Sequence, residues 1–476
     1  MSAPGPMRVL QPPEPALYRS STGGYPIAGY VPSRSRSSDW WYSTPAEGIS
    51  TTGPSTEINL PDHPATYHPP TQDNPSTEVS PVPDFSATPS PCLPIVYGCL
   101  LGGAIGDAVG VPLESLSLGQ IRQKHGSPGV PYRTLQVPYA LVPGTPQFGR
   151  DFDGRISEET QLALLTTEAL LRVMTGFPPR DITAAVPRKA TGIAQETYIA
   201  WLAAQGETMP GEPVASGFLA GRAPFTDRRG TSRTVIEAMH RAASRQRPDQ
   251  PLGTTTQPVN NSKGSAAVVR VAACGFTDRV ETAFHSGCEI AALTHGHPSA
   301  WLAAGTFAAV IHGLYSRLNL RESLYQAQLE LNRRAGHEEV AAALAAAIAL
   351  AGRGSPTAEA VESLGRGWTA PEALAIAVYA ALSAEAIGRG PSTEILEFGL
   401  RLAVNHSGDS DATGALCGSL LGARFGVQCV PDVWAFNSEV NDLVYTLSRD
   451  FCIQQSLFRP LDYGASLEYW YTRYPG

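Results

Sequence analysis

Two short acidic segments lie far apart in the chain, each at a point where a helix is predicted to begin. Residues 157–160 read Ser-Glu-Glu-Thr, and residues 408–411 read Gly-Asp-Ser-Asp. Taken singly, each segment has an ordinary explanation, because Ser and Asp cap helices and acidic side chains favour the positive end of the helix dipole. Two such segments in one chain also suggest a site where carboxylates gather.

If the two helix starts face each other, the carboxylates of Glu158, Glu159, Asp409 and Asp411 converge. At about 4 Å each like-charged pair costs roughly 4 kcal/mol at an effective dielectric constant of 20. Such a cluster must therefore hold protons or a cation. Oxygen-only ligands select hard cations, Mg²⁺ or Mn²⁺ rather than Zn²⁺. Sequence spacing leaves open whether the two starts meet.

Helical periodicity runs through the chain from Pro94 onward and supplies the elements that would position these residues. The segment Thr160–Met174 is amphipathic, and Ile95–Val109 is apolar with closely spaced glycines, which predicts a tightly packed buried helix ending near Pro112. The same periodicity predicts helices over 194–205, 234–244, 266–274, 280–293, 300–314, 323–333, 338–351, 357–364, 371–387, 392–405, 412–425 and 437–450.

Alternating strand patterns are nearly absent, so we predict an all-α fold. It is a large single-domain orthogonal helical bundle over residues 94–452, with a C-terminal tail at 453–476. Residues 1–93 hold 18 of the 41 prolines and few branched aliphatic side chains. This composition predicts a disordered or extended segment. The alternative is a partner-docking segment anchored by aromatic residues such as those at 40–42.

Composition bounds the class of protein. The formal net charge is −8 and there is no run of Lys or Arg, which argues against a nucleic-acid partner. The seven cysteines form no Cys-x-x-Cys pair, and the first residues lack an apolar leader, so a cytoplasmic location is expected. The apolar run Val340–Gly352 is too short to cross a bilayer, so no membrane role is expected.

Six segments, in order, resemble the signature motifs of the ADP-ribosylglycohydrolase family. The first, Tyr97–Glu114, resembles the opening G-x-x-x-G-x-A-x-G-D-A-x-G-x-x-x-E pattern. The others are Ser157–Leu164 (the family's Thr-Asp-Asp-Thr), Asn260–Ala272 (the ligand-binding loop), Leu293–Pro298 (the Thr-His segment), Gly365–Leu374 (G-x-G-W-x-x-E-A-L) and Asn405–Gly414 (G-D-x-D-T-x-G). Together they span nearly all of residues 94–452.

The resemblance implies a role for each matching residue. The family's metal ligands correspond to Ser157, Glu158, Glu159, Asp409 and Asp411. It implies a divalent cofactor, Mg²⁺ or Mn²⁺, with two ions. It also implies that a carboxyl group acts as the general acid or base during catalysis, and the candidates are Glu114 and Glu158.

The family's ADP-ribose-binding residues correspond to Asn261, Ser262, Gly264, Ser265 and His295. In this correspondence the loop offers hydroxyls and backbone N–H groups to the diphosphate, and His295 lines the ribose pocket. Judged by the residues alone, the favoured explanation of His295 and His297 is a surface His-x-His pair or ordinary capping residues.

The implied function is metal-dependent hydrolysis that removes ADP-ribose from a modified protein side chain, through cleavage at C1″ of the ribose. The implied partner is an ADP-ribosylated protein or ADP-ribose, and the linkage (arginine, serine, polymer or smaller adduct) stays open.

Three departures from the family pattern support an alternative function. Glu158 and Glu159 are each one methylene longer than the family's aspartates, and Ala412 replaces a metal-binding Thr. The adjacent Thr413 is expected to point elsewhere on the helix. The alternative is a catalytically altered ADP-ribose-binding or immunity-type protein that neutralises an ADP-ribosylating partner, using residues 1–93.

Overall fold

The computed structural model describes residues 90–126, 154–176, 182–211, 213, 215–245, 250–455 and 467–475. Apart from its last four residues, the predicted N-terminal segment 1–93 lies outside this range. The helices are α1 Leu93–Gly110, α2 Leu118–His125, α3 Glu158–Gly176, α4 Ile182–Ala204, α5 Arg233–Ala243, α6 Ala266–Val269, α7 Val280–Ala292, α8 Pro298–Tyr315, α9 Leu320–Leu331, α10 Glu338–Ala351, α11 Ala358–Glu362, α12 Ala370–Ile387, α13 Ser392–Val404, α14 Ser410–Phe425, α15 Asp432–Asn437, α16 Asn441–Gln455 and α17 Leu467–Arg473.

The predicted all-α fold is confirmed. Within the described residues there is no strand, and β-type pairing is limited to one isolated bridge between Gly264 and Thr369. Three short 3₁₀ turns, at Val111–Leu113, Ala272–Gly275 and Val427–Cys429, complete the helical unit.

Helices α1 and α14 lie in backbone contact along a row of glycines. A Cβ on Gly106 would lie 2.0 Å from the carbonyl oxygen of Gly414, and one on Gly418 would lie 1.9 Å from that of Gly102. The same crossing pairs Gly98 with Gly422. Residues four apart share a helix face, so glycine at every fourth position removes the side chains that would separate the helices. The contact brings the C-terminal end of α1 beside the start of α14.

The core is one continuous apolar cluster that runs through α1, α8, α12 and α14. Two helical stretches, Leu93–Leu113 and Ala370–Ile387, are long and apolar enough to cross a membrane by length and composition, unlike the run at 340–352. Both are mostly buried inside the helical unit, as core helices are. The expectation of no membrane role stays a prediction.

Two predicted helices are interrupted in the structure. The helix predicted over 266–274 breaks after Val269, and the buried Arg270 follows it before a 3₁₀ turn. The helix predicted over 437–450 is two helices, α15 and α16, because the chain turns at residues 438–440. The described part of the predicted C-terminal tail packs on the helical unit, since Trp470 and Tyr474 are fully buried.

Candidate functional site

A cavity of about 330 Å³ opens between the starts of α3 and α14 and the loops before α5 and α6, with Glu114 from the turn after α1 in its lining. Its lining brings together the two acidic segments with Glu114 and part of the predicted ADP-ribose-binding set. The lining residues are Glu114, Ser157, Glu158, Glu159, Arg229, Gly230, Ser232, Thr234, Gly264, Ser265, Ala266, His295, Trp368, Asp409 and Asp411. The acidic helix starts therefore do face each other.

Asp107 of α1 holds the start of α3 in place. Its Oδ2 accepts hydrogen bonds from the backbone N–H groups of Ser157 (3.0 Å) and Thr160 (3.2 Å) and from the Thr160 hydroxyl (2.5 Å). The Ser157 hydroxyl accepts from the N–H of Glu159 at 3.1 Å, in the N-cap manner. Backbone groups at the first turn of a helix need such acceptors, and here one of them comes from another helix.

The two glutamates of α3 have different surroundings. Both carboxylate oxygens of Glu158 accept from the N–H of Ser232, at 2.8 and 2.9 Å, so this side chain holds the loop before α5. Glu159 is 6 % exposed, and its Oε2 is buried without a hydrogen-bond partner among the described residues. Of the two glutamates, Glu159 is therefore the one with a buried carboxylate oxygen that no hydrogen bond occupies.

The start of α14 is fixed by a glycine turn. Gly408 adopts φ 147°, and a Cβ there would lie 2.0 Å from the carbonyl oxygen of Arg366, so only glycine fits. The next residue, Asp409, accepts a 2.5 Å hydrogen bond from the Ser265 hydroxyl. Asp411 Oδ1 accepts from the N–H of Ala412 at 2.8 Å.

Thr413 does not replace the hydroxyl that Ala412 lacks. Its Oγ1 lies 2.9 Å from the carbonyl oxygen of Ala403, 3.0 Å from that of Asp409 and 2.9 Å from Nε2 of His406. This hydroxyl bonds to the backbone inside the α13–α14 corner, as predicted. Ala412 is fully buried and offers no oxygen to the cavity.

Burial and mutual repulsion favour protons on five carboxyl groups in and beside the cavity, those of Asp107, Glu114, Glu158, Glu159 and Asp409. Burial raises the pKa of Asp107 to about 7, with Asp411 adding to the effect. It raises the pKa of Glu158 to about 8. The pKa values of Glu159 and Asp409 lie well above the usual range, chiefly through burial and then through neighbouring carboxylates. Glu114 is exposed, yet partial desolvation, followed by the charge of Asp411, raises its pKa to about 6.

One fully buried cation lies close to the carboxylates. Arg270 donates to the hydroxyl of Thr294 and, at 3.3 Å, to the carbonyl oxygen of Ala291, and its guanidinium lies 5.5 Å from the ring centre of Tyr198. Its charge lowers the pKa of Glu158 against the effect of burial. Arg229 also lines the cavity, but its guanidinium is paired with Asp227 and Glu439, so Arg270 alone cannot balance the carboxylates.

His295 is buried and lines the cavity, whereas His297 caps α8. The Nδ1 of His295 lies 2.8 Å from the Thr294 hydroxyl, and its Nε2 lies 3.1 Å from where a Cβ on Gly264 would be. Burial, and then Arg270, hold the pKa of His295 well below the usual range, so the ring is neutral. The Nδ1 of His297 accepts from the N–H of Ser299 at 3.1 Å.

The predicted diphosphate-binding residues are only partly brought together. Gly264 and Ser265 line the cavity, but the Ser265 N–H donates to the carbonyl of Trp368 at 3.2 Å and its hydroxyl to Asp409. The hydroxyl of Ser262 lies 3.4 Å from that of Thr234, just behind the lining. Asn261 is exposed and outside the lining.

The donor chemistry of the site fits a hard divalent cation. The available ligands are carboxylate oxygens, and two of these, Asp107 Oδ1 and Glu159 Oε2, are buried without a hydrogen-bond partner in the described part of the chain. Within that part, however, no three His, Cys, Asp or Glu side chains are grouped as a metal site requires. The residues fit the cation in type and charge, and their side chains would have to shift to surround it.

Sequence reasoning missed the roles of Asp107, Arg270, Arg229 and Trp368. Asp107 and Arg270 each stand inside a motif-like segment but are buried in helical packing, where pattern alone does not show contacts. Arg229 lines the cavity and bonds to Glu439 at 3.0 Å, and the half-exposed Trp368 forms part of the wall. Arg229 stands between predicted helices with no pattern that indicates this placement, and Trp368 is the tryptophan of the segment 365–374, to which the sequence assigned a resemblance but no role.

Comparison with known proteins agrees with these features. A sequence model of the ADP-ribosylglycohydrolase family matches residues 93–457. A solved structure described as an ADP-ribosylglycohydrolase-related protein complex is similar at 20% identity and a TM-score of 0.48, over 77% of this chain and 99% of that one. No curated protein matches. The assignment rests on the family match, which covers most of the chain. This protein belongs to the ADP-ribosylglycohydrolase family.

Proposed function

We propose that this protein is a metal-dependent hydrolase that removes ADP-ribose from modified protein side chains, by hydrolysing the N- or O-glycosidic bond at C1″ of the ribose. The observation that carries the proposal is the meeting of Glu159, Asp409 and Asp411 in one cavity. Their charge needs a counter-ion for all of them to ionise. Family membership supplies the class of substrate.

The proposed cofactor is Mg²⁺ or Mn²⁺, with two ions held by Ser157, Glu158, Glu159, Asp409 and Asp411. When bound, such ions orient the ribose hydroxyls and activate a water molecule. Two features of the chain prepare this ligand set. Asp107 fixes the first turn of α3, and the Gly408 turn fixes the first turn of α14.

Glu114 is the better placed of the two candidate proton-transfer residues. It lies in the cavity lining, and its carboxylate has no hydrogen-bond partner among the described residues. Glu158 has both oxygens engaged with the N–H of Ser232. A general acid or base needs an oxygen within hydrogen-bond reach of the reacting group, so we assign the proton transfer to Glu114 and a positioning role to Glu158.

The ADP-ribose group is proposed to lie along Gly264, His295 and Trp368. The absence of a side chain at Gly264 leaves room beside Nε2 of His295. The neutral imidazole offers one ring nitrogen to a ribose hydroxyl. The exposed face of Trp368, at the mouth of the cavity, is an apolar surface for a base or sugar.

The test is release of ADP-ribose from a panel of substrates: arginine-linked and serine-linked peptides and ADP-ribose polymer. We expect ADP-ribose to be released from at least one of these substrates with Mg²⁺ or Mn²⁺, and from none after the metal is removed by a chelator. The Glu114→Gln variant should bind ADP-ribose normally but lose turnover, because the amide cannot transfer the proton. Release that persists after chelation would contradict the proposal.

A second candidate function is that of a catalytically altered ADP-ribose-binding or immunity-type protein. It is favoured by Ala412, which offers no ligand oxygen, and by Glu158, which is turned toward Ser232. It predicts that calorimetry detects ADP-ribose binding while no substrate in the panel is hydrolysed. Turnover of any of them excludes it.

A further inference from the structure

A second cavity, of about 280 Å³, lies between α3, α4, α5 and the loop at 215–225. It shares no lining residue with the acidic cavity. Much of its wall is apolar, and the large apolar side chains are Leu165, Ile199, Trp201, Leu219 and Phe225. Because an apolar protein cavity of about 150 Å³ holds one benzene molecule, this cavity has room for two fused aromatic rings.

The indole N–H of Trp201 gives the cavity wall a hydrogen-bond donor without an acceptor. Trp201 is 3 % exposed, and its Nε1 is buried with no hydrogen-bond partner among the described residues. Buried indole N–H groups usually find a partner, because burial without one is unfavourable. The wall therefore favours a ligand that brings an acceptor.

A buried guanidinium beside this donor sets the charge of that acceptor. Arg172 of α3 lines the cavity and is 7 % exposed. It donates to two uncharged groups, the carbonyl oxygen of Pro475 at 2.5 Å and the hydroxyl of Thr197 at 3.0 Å. In the described part of the chain it makes no ion pair with a carboxylate. Burial of a charge without an opposite charge is strongly unfavourable, so the guanidinium favours an anion.

The other charged residues of the lining do not cancel this positive charge. Both oxygens of Glu168 accept backbone N–H groups, from Phe218 and Leu219, and burial raises its pKa to about 7, so Glu168 is fully charged only above neutral pH. Glu196 is exposed, and water and salt screen its charge. Arg245 adds a second positive charge to the lining. The charges of the wall therefore also favour an anion.

The two donors lie on the same side of the cavity. Arg172 bonds to Thr197, and Thr197 and Trp201 are four residues apart on α4, so they share a helix face. We propose that this cavity binds a small aromatic carboxylate. Its carboxylate accepts hydrogen bonds from Trp201 Nε1 and the Arg172 guanidinium, and its fused rings lie against the apolar wall.

The test uses 2-naphthoate, which has two fused rings and one carboxylate, and full-length protein with isotope-labelled tryptophan. The chain has seven tryptophans, and the indole N–H signal that is missing from the NMR spectrum of Trp201→Phe belongs to Trp201. We expect 2-naphthoate to shift this signal downfield and saturably, with a Kd at or below about 1 mM. The neutral 2-naphthamide, which has the same rings, should bind at least about tenfold more weakly.

The absence of a saturable shift of the Trp201 signal, or equal affinity for the amide, would overturn the proposal. Neither outcome depends on ADP-ribose release, so the proposal and the proposed hydrolase activity can fail separately.

A cavity-filling variant locates the bound probe. Ala204 lines the cavity at the end of α4 and is exposed, so Ala204→Phe adds a ring without replacing a buried side chain. This variant should keep the wild-type Tm and bind 2-naphthoate at least about tenfold more weakly. Undiminished binding by the folded variant would place the probe elsewhere and overturn the proposal. If the variant does not fold, the titration of the wild type with the acid and the amide decides alone.

Discussion

At the scale of single residues, Ala412 is the departure whose consequence can be measured most cleanly. We predict that Ala412→Thr tightens Mn²⁺ binding, because it restores a hydroxyl beside Asp411. Loss of even an outer-shell partner typically costs about tenfold to a hundredfold in metal affinity, so the gain should approach that range. Calorimetric titration measures it. Ala412→Val, which has the same shape without the hydroxyl, is the control, and an equal change in both variants would contradict the prediction.

A second prediction for a single residue is that Glu168 makes the stability of the fold depend on pH. It is 1 % exposed, its oxygens accept the N–H groups of Phe218 and Leu219 at 2.9 Å, and burial raises its pKa to about 7. An acid whose pKa is raised by folding stabilises the fold fully below its unfolded pKa, and that stabilisation is lost as pH rises through about 7.

The stability of the wild type relative to Glu168→Gln should therefore fall between about pH 4.5 and pH 8, by about 3 kcal/mol. Urea unfolding of both proteins across this range measures the difference, and other titrating groups cancel in it. A difference that is constant with pH would show that folding leaves the pKa of Glu168 unchanged, and one that grows with pH would show that the fold prefers the charged form; either result contradicts the prediction.

At the scale of elements, the contact between α1 and α14 determines whether the two acidic segments meet. We predict that Gly106→Ala lowers the free energy of unfolding by about 1–3 kcal/mol, because the new Cβ meets the backbone of Gly414. It should also weaken metal binding, since it pushes apart the helices that carry Asp107 and Asp411. Thermal unfolding and metal titration measure the two effects.

The matched control is Gly192→Ala on α4, where a Cβ meets nothing within 4 Å. This change should leave metal binding unaltered and slightly raise stability, because alanine favours helix. If both glycine variants behaved alike, close packing of α1 on α14 would not be what holds the site together.

Much of the helical architecture follows from local sequence. The periodicity of Thr160–Met174 and the glycines of Ile95–Val109 predict α3 and α1 to within two residues at each end. The break after Val269 was not predictable, because it depends on Arg270 turning into the core toward Thr294. Such a contact joins residues that no local pattern relates.

The same limit applies to the site. Carboxylates at two helix starts indicated a cluster, and the cavity brings them together. Asp107 of α1 caps the first turn of α3, and Glu158 turns toward Ser232. Both contacts depend on tertiary packing, so the sequence could not show them. The roles assigned to the site residues as ligands and catalysts stay predictions.

At the scale of the whole molecule, the acidic cavity is built entirely from residues after Ser90. We predict that a chain shortened to begin at Ser90 keeps the turnover of the full-length protein, measured as ADP-ribose release under identical metal conditions. Circular dichroism of the shortened chain controls for folding. If the protein instead neutralises a partner through residues 1–93, the shortened chain should lose partner binding.

The central claim is that the meeting of the two acidic helix starts creates a metal site that hydrolysis requires. Its most direct test compares ADP-ribose release by the wild type and Asp411→Asn, in Mn²⁺, on the substrate that the wild type cleaves best. The control is Asp432→Asn, which changes an exposed acid in the first turn of α15, outside the cavity. We predict a loss of at least about a hundredfold for Asp411→Asn and unchanged release for the control. Equal release by the wild type and Asp411→Asn would contradict the account.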